Sequence, residues 1–302
     1  MLTFADFLAR HFKGKMQKLS VNTGSSCPNR DGTIRRGGCS YCLNSSFTPA
    51  YCADGHSSVT SQLLKGKAFF AHKYPSMRYL AYFQSYTTTH GLSGDAFLSL
   101  CHEALSVDGV DGIIIGTRPD CMPQPLLERL ALELPWVMIE YGAESSHDST
   151  LALINRGHTW AQTVDAVSRT ADAGIPCGLH LINGLPGEDE DMMLATVDRV
   201  NRLPVSVVKF HQLQLLRGTR MALDVESGLY DVTRFTPESY ARLCARICRR
   251  LRPDIVIERF VSQSPPELLI YPRWGLKNYQ FTQLLLQELK DSRSSAQRLS
   301  SS

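Results

Sequence analysis

The chain has 302 residues, 43% of them hydrophobic and 20% charged, with a formal net charge of +3. That apolar share suits a sizeable globular core and excludes a disordered polyelectrolyte, and no apolar run is long enough to span a membrane. The weak positive excess neither demands nor excludes a nucleic-acid partner.

The N-terminal stretch MLTFADFLARHFKGK lacks the basic, apolar, small-residue order of a secretory signal and reads as an amphipathic helix within residues 1–17. The protein is therefore expected in the cytoplasm, without membrane association. Residues 18–23 (KLSVNT) alternate as a strand, and a long loop follows from Gly24 to about Ser58. A helix is predicted over 60–74 and a strand over 77–83. Ser93 caps a helix reaching about Val107, with Asp95 in its first turn. Next come strand 111–116, helix 123–133, strand 136–141 and helical stretches near 148–155 and 159–173, with Gly174 placed to stop the last. Strand 176–182, helix 188–202 and strand 205–213 follow. Helix 237–251 has Thr236 as its cap and Pro237 in its first position, and strand 254–260 closes the series. Residues 261–291 read as a small C-terminal extension and 292–302 as a disordered tail.

The rhythm is a β-α unit repeated about six times, and several strands are continuous apolar runs suited to a parallel sheet covered on both faces. A doubly wound sheet and a barrel both fit. Unusual residues gather just after strands, at Gln84–Thr87, Thr117–Asp120, Glu144 and Asn183–Gly187, and parallel barrels build their sites on that rim. The expected fold is α/β, a partial (β/α)6 TIM-like barrel over 18–260 with a small C-terminal extension.

Nine cysteines, an odd number in a reducing compartment, are not a disulfide framework. Three of them, Cys27, Cys39 and Cys42, lie in the glycine-rich loop GSSCPNRDGTIRRGGCSYC with the spacing C-x11-C-x2-C. Thiolates suit zinc or an iron–sulfur cluster. A closed zinc site needs four ligands, and Cys52 is the available fourth, although Cys27 has no close partner of the kind zinc sites use. Three cysteines suit a cubane with one iron left open. On spacing alone cluster, zinc and a structural loop all remain. Cys244 and Cys248 share a helix face and read as core, as do Cys101 and Cys177; Cys121 reads as loop packing near the rim. The basic groups Arg35-Arg36 and Arg246, Arg249, Arg250 and Arg252 suit a solvated face or a polyanionic substrate.

CPNRDGTIRRGGCSYC resembles the cluster loop of the Elp3-like branch of the radical S-adenosylmethionine (SAM) superfamily, and more narrowly that of the stand-alone bacterial YhcC/YtqA-type family. YFQSYTTT (82–89), IGTRPDCM (115–122), LINRGHT (153–159), HLINGLPGE (180–188), KFHQLQLLRGT (209–219) and LLIYPRWGLKN (268–278) are similar to family segments in the same order. The resemblance implies a [4Fe-4S] cluster on Cys27, Cys39 and Cys42, with S-adenosylmethionine on the fourth iron. Reductive cleavage of the sulfonium would give methionine and a 5′-deoxyadenosyl radical that abstracts hydrogen from substrate.

The same resemblance implies cofactor contacts. Gln84 and Ser85, next to Tyr86, stand where many members have a glycine-rich turn near the methionine ammonium, and Arg118 stands where a cation could meet its carboxylate. In IEYGAES, Glu140 and Glu144 carry carboxylates, and Glu144 fills a position where glutamine often bonds the ribose. Gly184, Leu185, Pro186 and Gly187 resemble the adenine-side turn. Each has a plainer reading: Arg118 ties a loop, Glu140 is a satisfied strand carboxylate, and Gly184–Gly187 is a turn. His180 and His211 either face the substrate or are hydrogen-bonded core. No catalytic residue is singled out. The resemblance makes a tRNA wobble uridine the expected substrate and a reducing flavoprotein or ferredoxin the expected partner. The chain has no room for Elp3's N-terminal tRNA-binding extension or its acetyltransferase region. The alternatives are radical chemistry on a small metabolite or protein, and a non-catalytic iron–sulfur or RNA-binding protein.

Overall fold

The computed structural model describes residues 2–71 and 76–299, with side chains described as far as Asp291. After the short helix α1 (Phe4–Leu8) the chain enters β1 (Met16–Val21), then α2 (Pro28–Asp31) and α3 (Val59–Ala71). Alternation follows through β2 (Arg78–Phe83), α4 (Gly94–Leu105), β3 (Val110–Thr117), α5 (Gln124–Glu133) and β4 (Val137–Glu144). Two helices, α6 (Asp148–Leu153) and α7 (Trp160–Asp172), precede β5 (Cys177–Asn183), and α8 (Glu190–Val200) precedes β6 (Val207–Gln212). The last part holds β7 (Leu215–Leu216), α9 (Arg220–Glu226), α10 (Pro237–Arg250), β8 (Val256–Arg259), β9 (Leu269–Tyr271) and α11 (Asn278–Leu299).

Local chemistry explains where these elements begin. Ser93 accepts the Ala96 N–H at the start of α4. Thr159 and Gln162 form a reciprocal capping box on α7, and Thr236 with Ser239 does the same on α10, where Pro237 needs no donor. Gly174, at φ 73°, ends the α7 region ahead of β5. The strands between are buried on both faces; Ile113, Ile114 and Ile115 of β3 are fully covered.

Seven strands form one parallel sheet in the order β1-β2-β3-β4-β5-β6-β8, and β7 pairs antiparallel with β9 beside it. The six-unit partial barrel is thus present, with β8 as its seventh strand. Laid flat, β1 and β8 would lie about 29 Å apart, at ~4.8 Å per strand. Instead Lys18 of β1 lies 2.7 Å from Glu258 of β8, so the sheet curls until its edges face each other. It does not close by backbone pairing, since neither edge strand pairs with the other. Lys18 also lies 2.6 Å from Glu140 of β4, while Lys209 of β6 lies 3.3 Å from Glu140 and 3.1 Å from Glu258. Two lysines and two glutamates therefore form an alternating ring inside the barrel, where a complete barrel carries layers of apolar side chains.

The short N-terminal helix expected within residues 1–17 is present as α1. Only five residues are helical, held by a Thr3–Asp6 capping box, and Thr3 bridges in parallel to Ile257, which covers the outer edge of β8. The expected tail over 292–302 lies outside the described residues apart from the helical backbone that α11 carries to Leu299. No described helix is long and apolar enough to cross a membrane.

Removing one member of a buried ion pair leaves its partner uncompensated, at a cost of about 3–5 kcal/mol. Lys18→Met is expected to lose stability of that order in urea unfolding, and Lys18→Met with Glu258→Leu to recover part of it. A double variant no more stable than the single one would show that the edges are held together by something else.

Candidate functional site

A cavity of about 490 Å³ opens at the C-terminal end of the parallel strands. Cys27, Cys39 and Cys42 line it together with Gln84, Arg118, Glu140 and Glu144, so the barrel gathers these predicted residues around one space. His180 and His211 line it as well. Ser85, Gly184 and Pro186 do not. Ser85 is buried beneath the rim, and a side chain at Gly184 would meet Phe235 and the Thr233 carbonyl at 3.2 Å, which places that turn against the loop before α10. Leu185 packs into a small apolar cluster with Leu151, Ile154 and Met221 below the cysteine loop.

The cysteine loop is docked by residues 153–159. Asn29 Nδ2 donates to the carbonyls of Asn155 and Arg156 at 2.6 and 2.7 Å and lies 3.6 Å from Cys39 Sγ. Asn155, in the left-handed region at φ 53°, donates to the Gly38 carbonyl at 2.7 Å. Ser40 is held on both sides: its N–H donates to Ile154, and its carbonyl accepts from Met221 at 2.8 Å. The buried Arg156 guanidinium donates to Cys39 Sγ at 3.4 Å and to the Gly142 carbonyl at 2.6 Å, and lies 3.6 Å from Glu144. Two glycines make this possible. A Cβ on Gly157 would stand 2.4 Å from Asn29 Oδ1, and one on Gly142 would stand 2.7 Å from Arg156 Nη2. The sequence reading quoted LINRGHT without giving Asn155 or Arg156 a task; the signal available was a buried-type arginine between asparagine and glycine.

Burial, reinforced by neighbouring Cys39, pushes the Cys42 thiol up to about 12. Among the described residues no three Cys, His, Asp or Glu side chains converge as a single metal ion requires. Cys52 is set apart, its thiol donating to the Pro49 carbonyl at 3.4 Å, and Cys121 sits against Asp120. Cys101, Cys177 and Cys244 are core residues, and Cys248 packs against that core.

The remaining candidates are partly committed. Asp120 fills the forked face of Arg118 with two bonds of 2.8 and 2.9 Å, and Nη1 donates to the Arg156 carbonyl, so this arginine ties the loop after β3 to the loop after α6. Glu140 accepts from Lys18, Lys209 and His180. Burial alone would raise its pKa, but those cations and His180 hold it well below the carboxylate range. Because a carboxylate only accepts, His180 carries its proton on Nε2, 2.8 Å from Glu140. Burial and Lys209 lower His180, and burial with Arg259 lowers His211 well below its ordinary range, so both imidazoles are neutral. His211 Nδ1 is bonded to Ser262. Gln84 spends its amide N–H groups on Ser20 and the Phe47 carbonyl, at 2.9 and 3.3 Å. Glu144 adopts φ 68° where the β4–β5 register shifts, which turns its carboxylate toward the cavity and Arg156.

Residues 21–200 match the radical SAM superfamily, and residues 205–291 match the Radical SAM C-terminal domain. The chain belongs to the radical SAM superfamily. It is 32% identical over 286 residues to YtqA of Bacillus subtilis strain 168, covering 94% of this chain and 88% of that one. It is 35% identical over 274 residues to YhcC of Escherichia coli K12, covering 90% and 86%. A shorter match, 27% over 112 residues, reaches a tRNA uridine(34) acetyltransferase of Methanocaldococcus jannaschii and covers 36% of this chain and 20% of that one. Among solved structures, the archaeal Elp3 of Methanocaldococcus infernus with an N-terminal deletion superposes with a TM-score of 0.68 at 14% identity, over 93% of this chain and 64% of that one. This likeness establishes the fold. Enzymes of the radical SAM superfamily use a [4Fe-4S] cluster and S-adenosylmethionine.

Gly157→Ala tests the docking of the cysteine loop, with Gly174→Ala as its control. Both sites have positive φ, 78° and 73°, but only Gly157 has a neighbour within 4 Å. Gly157→Ala is expected to be less stable than Gly174→Ala by about 1–3 kcal/mol, the usual cost of overpacking, in denaturant unfolding. Equal losses would mean that Asn29 does not hold the loop.

Proposed function

We propose that Cys27, Cys39 and Cys42 hold the [4Fe-4S] cluster at the mouth of the barrel and that the enzyme modifies a wobble uridine of tRNA. The observation that carries the first half is the donor set: three cysteine side chains share one cavity, and an arginine and an amide N–H are aimed at the sulfur of Cys39. Such donors suit a thiolate that has given up its proton, and hydrogen bonds of this kind tune a cluster's potential. Three cysteines leave one iron of a cubane open, whereas a closed zinc site needs a fourth ligand, and Cys52 is set apart with its thiol on the Pro49 carbonyl.

When bound, the cluster supplies the electron that splits S-adenosylmethionine into methionine and a 5′-deoxyadenosyl radical. The chain's own residues then position and shield. Arg156 and Asn29 fix the loop, and Gln84, Glu144 and Tyr86 border the space beside it. With its N–H groups spent, Gln84 presents its carbonyl oxygen as acceptor for an ammonium, and Glu144 can accept from ribose hydroxyls. Ser85, Gly184 and Pro186 could act only through backbone or after rearrangement.

The tRNA half rests on likeness and charge. The matched Methanocaldococcus jannaschii relative carries tRNA uridine(34) in its name. Exposed Arg30, Arg35 and Arg36 on the cysteine loop make no ion pair among the described residues, and Arg30 lines the cavity; exposed Arg273, likewise without one, borders the neighbouring pocket. Several arginines on the outer helices are paired with carboxylates, as Arg129 with Glu133, Arg246 with Glu190 and Arg250 with Asp198. Unpaired cations beside a cleft suit a phosphate backbone.

Cys27→Ser, Cys39→Ser and Cys42→Ser are each expected to lose most of the iron and sulfide retained after anaerobic reconstitution, while Cys52→Ser retains both. Retention by all three loop variants would remove the ligand assignment. For the substrate, tRNA nucleosides from a strain lacking the gene should differ by mass spectrometry from the parent's at a modified uridine. Identical profiles would reject tRNA and leave the radical chemistry standing.

A further inference from the structure

Among the described residues, the buried and half-buried charges that line the inside of the cavity are joined in ion pairs, with one exception. Lys18 and Lys209 face Glu140 and Glu258, Arg118 is paired with Asp120, and Arg156 faces Glu144. The exception is Arg259, the last residue of β8. It lines the cavity, its Nε is buried without a partner, and it makes no hydrogen bond or ion pair among the described residues. In register it stands opposite Lys209, beside a shift in the β6–β8 pairing that lets both Glu258 and Arg259 border the same space. Inside the barrel, then, Lys18, Lys209 and Arg259 face only Glu140 and Glu258, with His180 and His211 neutral. Arg259 is half-buried with its Nε shut away from solvent, and Glu258, the carboxylate that feels its charge, is already held by Lys18 and Lys209. A guanidinium is matched in shape to a carboxylate or phosphate, which it binds through paired N–H groups.

We propose that Arg259 recognises an oxyanion, carboxylate or phosphate, carried by the part of the substrate that enters the barrel. This makes Arg259 a specificity-determining residue, and it rests on the reading of this cavity as the seat of the reaction. It does not depend on the substrate being tRNA. The position is informative because β8 lies beside β6 on the inner wall, away from the exposed arginines of the cysteine loop. An anion held there belongs to the reacting group and not to a backbone lying across the rim.

The test uses the full chain with its cluster reconstituted, as wild type, Arg259→Gln and Arg259→Lys. Each is melted in sodium chloride, sodium acetate and sodium phosphate at matched ionic strength. Acetate or phosphate should raise the Tm of wild type and Arg259→Lys by more than it raises that of Arg259→Gln, and the anion giving the larger difference identifies the class. In chloride, Arg259→Gln should melt no lower than wild type, because it breaks no ion pair. Equal anion responses in wild type and Arg259→Gln, or a lower Tm for Arg259→Gln in chloride, would overturn the proposal and leave Arg259 a structural residue. In parallel, total tRNA from a strain lacking the gene is added to the reduced enzyme with S-adenosylmethionine. Wild type should form more 5′-deoxyadenosine, and Arg259→Gln should need about tenfold or more tRNA for the same stimulation, the loss expected of a charge-assisted bond. If tRNA has no effect on wild type while the anion-dependent melting difference stands, the tRNA reading fails and Arg259 keeps its role.

Discussion

The ring of Lys18, Glu140, Lys209 and Glu258 is the constraint on which the rest of the molecule depends. It joins β1, β4, β6 and β8, which in a flat sheet could not all meet. Backbone pairing holds neighbouring strands but says little about how far the sheet curls. The ring sets the curl, and the curl makes the cavity. Such a ring contributes little net stability, because desolvating four charges offsets most of their attraction. Its value lies in geometry: apolar side chains would tolerate a range of separations, whereas charges at these distances tolerate few. The open seam is covered outside by Thr3, which pairs with Ile257, and leaves the inside polar.

A polar interior then limits what the cavity's residues can do. Glu140 and Arg118 illustrate this. Both border the space, yet Glu140 accepts from three donors and Arg118 gives its forked face to Asp120. Their plainer readings, a satisfied strand carboxylate and a loop tie, account for every bond they make. Glu144 and Gln84 keep more capacity, since Arg156 approaches Glu144 no closer than 3.6 Å and Gln84 engages only its N–H groups. Four side chains that look equivalent along the sequence thus separate into two that build the wall and two that face what fills it.

The elements that build the sheet were legible because they are local. Apolar runs such as Ile113–Ile115, the caps at Ser93 and Thr236 and the stop at Gly174 each act within a turn or two of themselves. Their ends agree with the sequence reading to within a few residues. The N-terminal helix was legible as short and amphipathic, but not that its apolar residues pack under the barrel, a long-range demand that periodicity does not show. The β7–β9 pair was missed for the same reason: two or three residues carry no period, and Leu215 finds its partner at Tyr271; the seven-residue α9 is too short to show one clearly. In the site, spacing drew attention to the three cysteines and left cluster, zinc and a structural loop open, and it gave no sign of what docks them. Asn29 and Arg156 are separated by more than a hundred residues, and nothing in either segment alone announces the other.

The same distinction between local and distant demands bears on charge. At the rim, Arg30 can remain without a carboxylate because water solvates it, and it rests on the Tyr86 ring at 5.2 Å. Such a residue can meet any polyanion that arrives and says little about which. Inside the barrel the neighbouring charges are paired, so an arginine without an ion pair there is more informative than a larger excess outside. Under the proposals made above, loose cations at the surface and one arginine without an ion pair beneath them divide the work between weak capture and strict selection. Rim contacts would govern capture and its salt dependence, and the inner contact would govern which group is admitted to the radical.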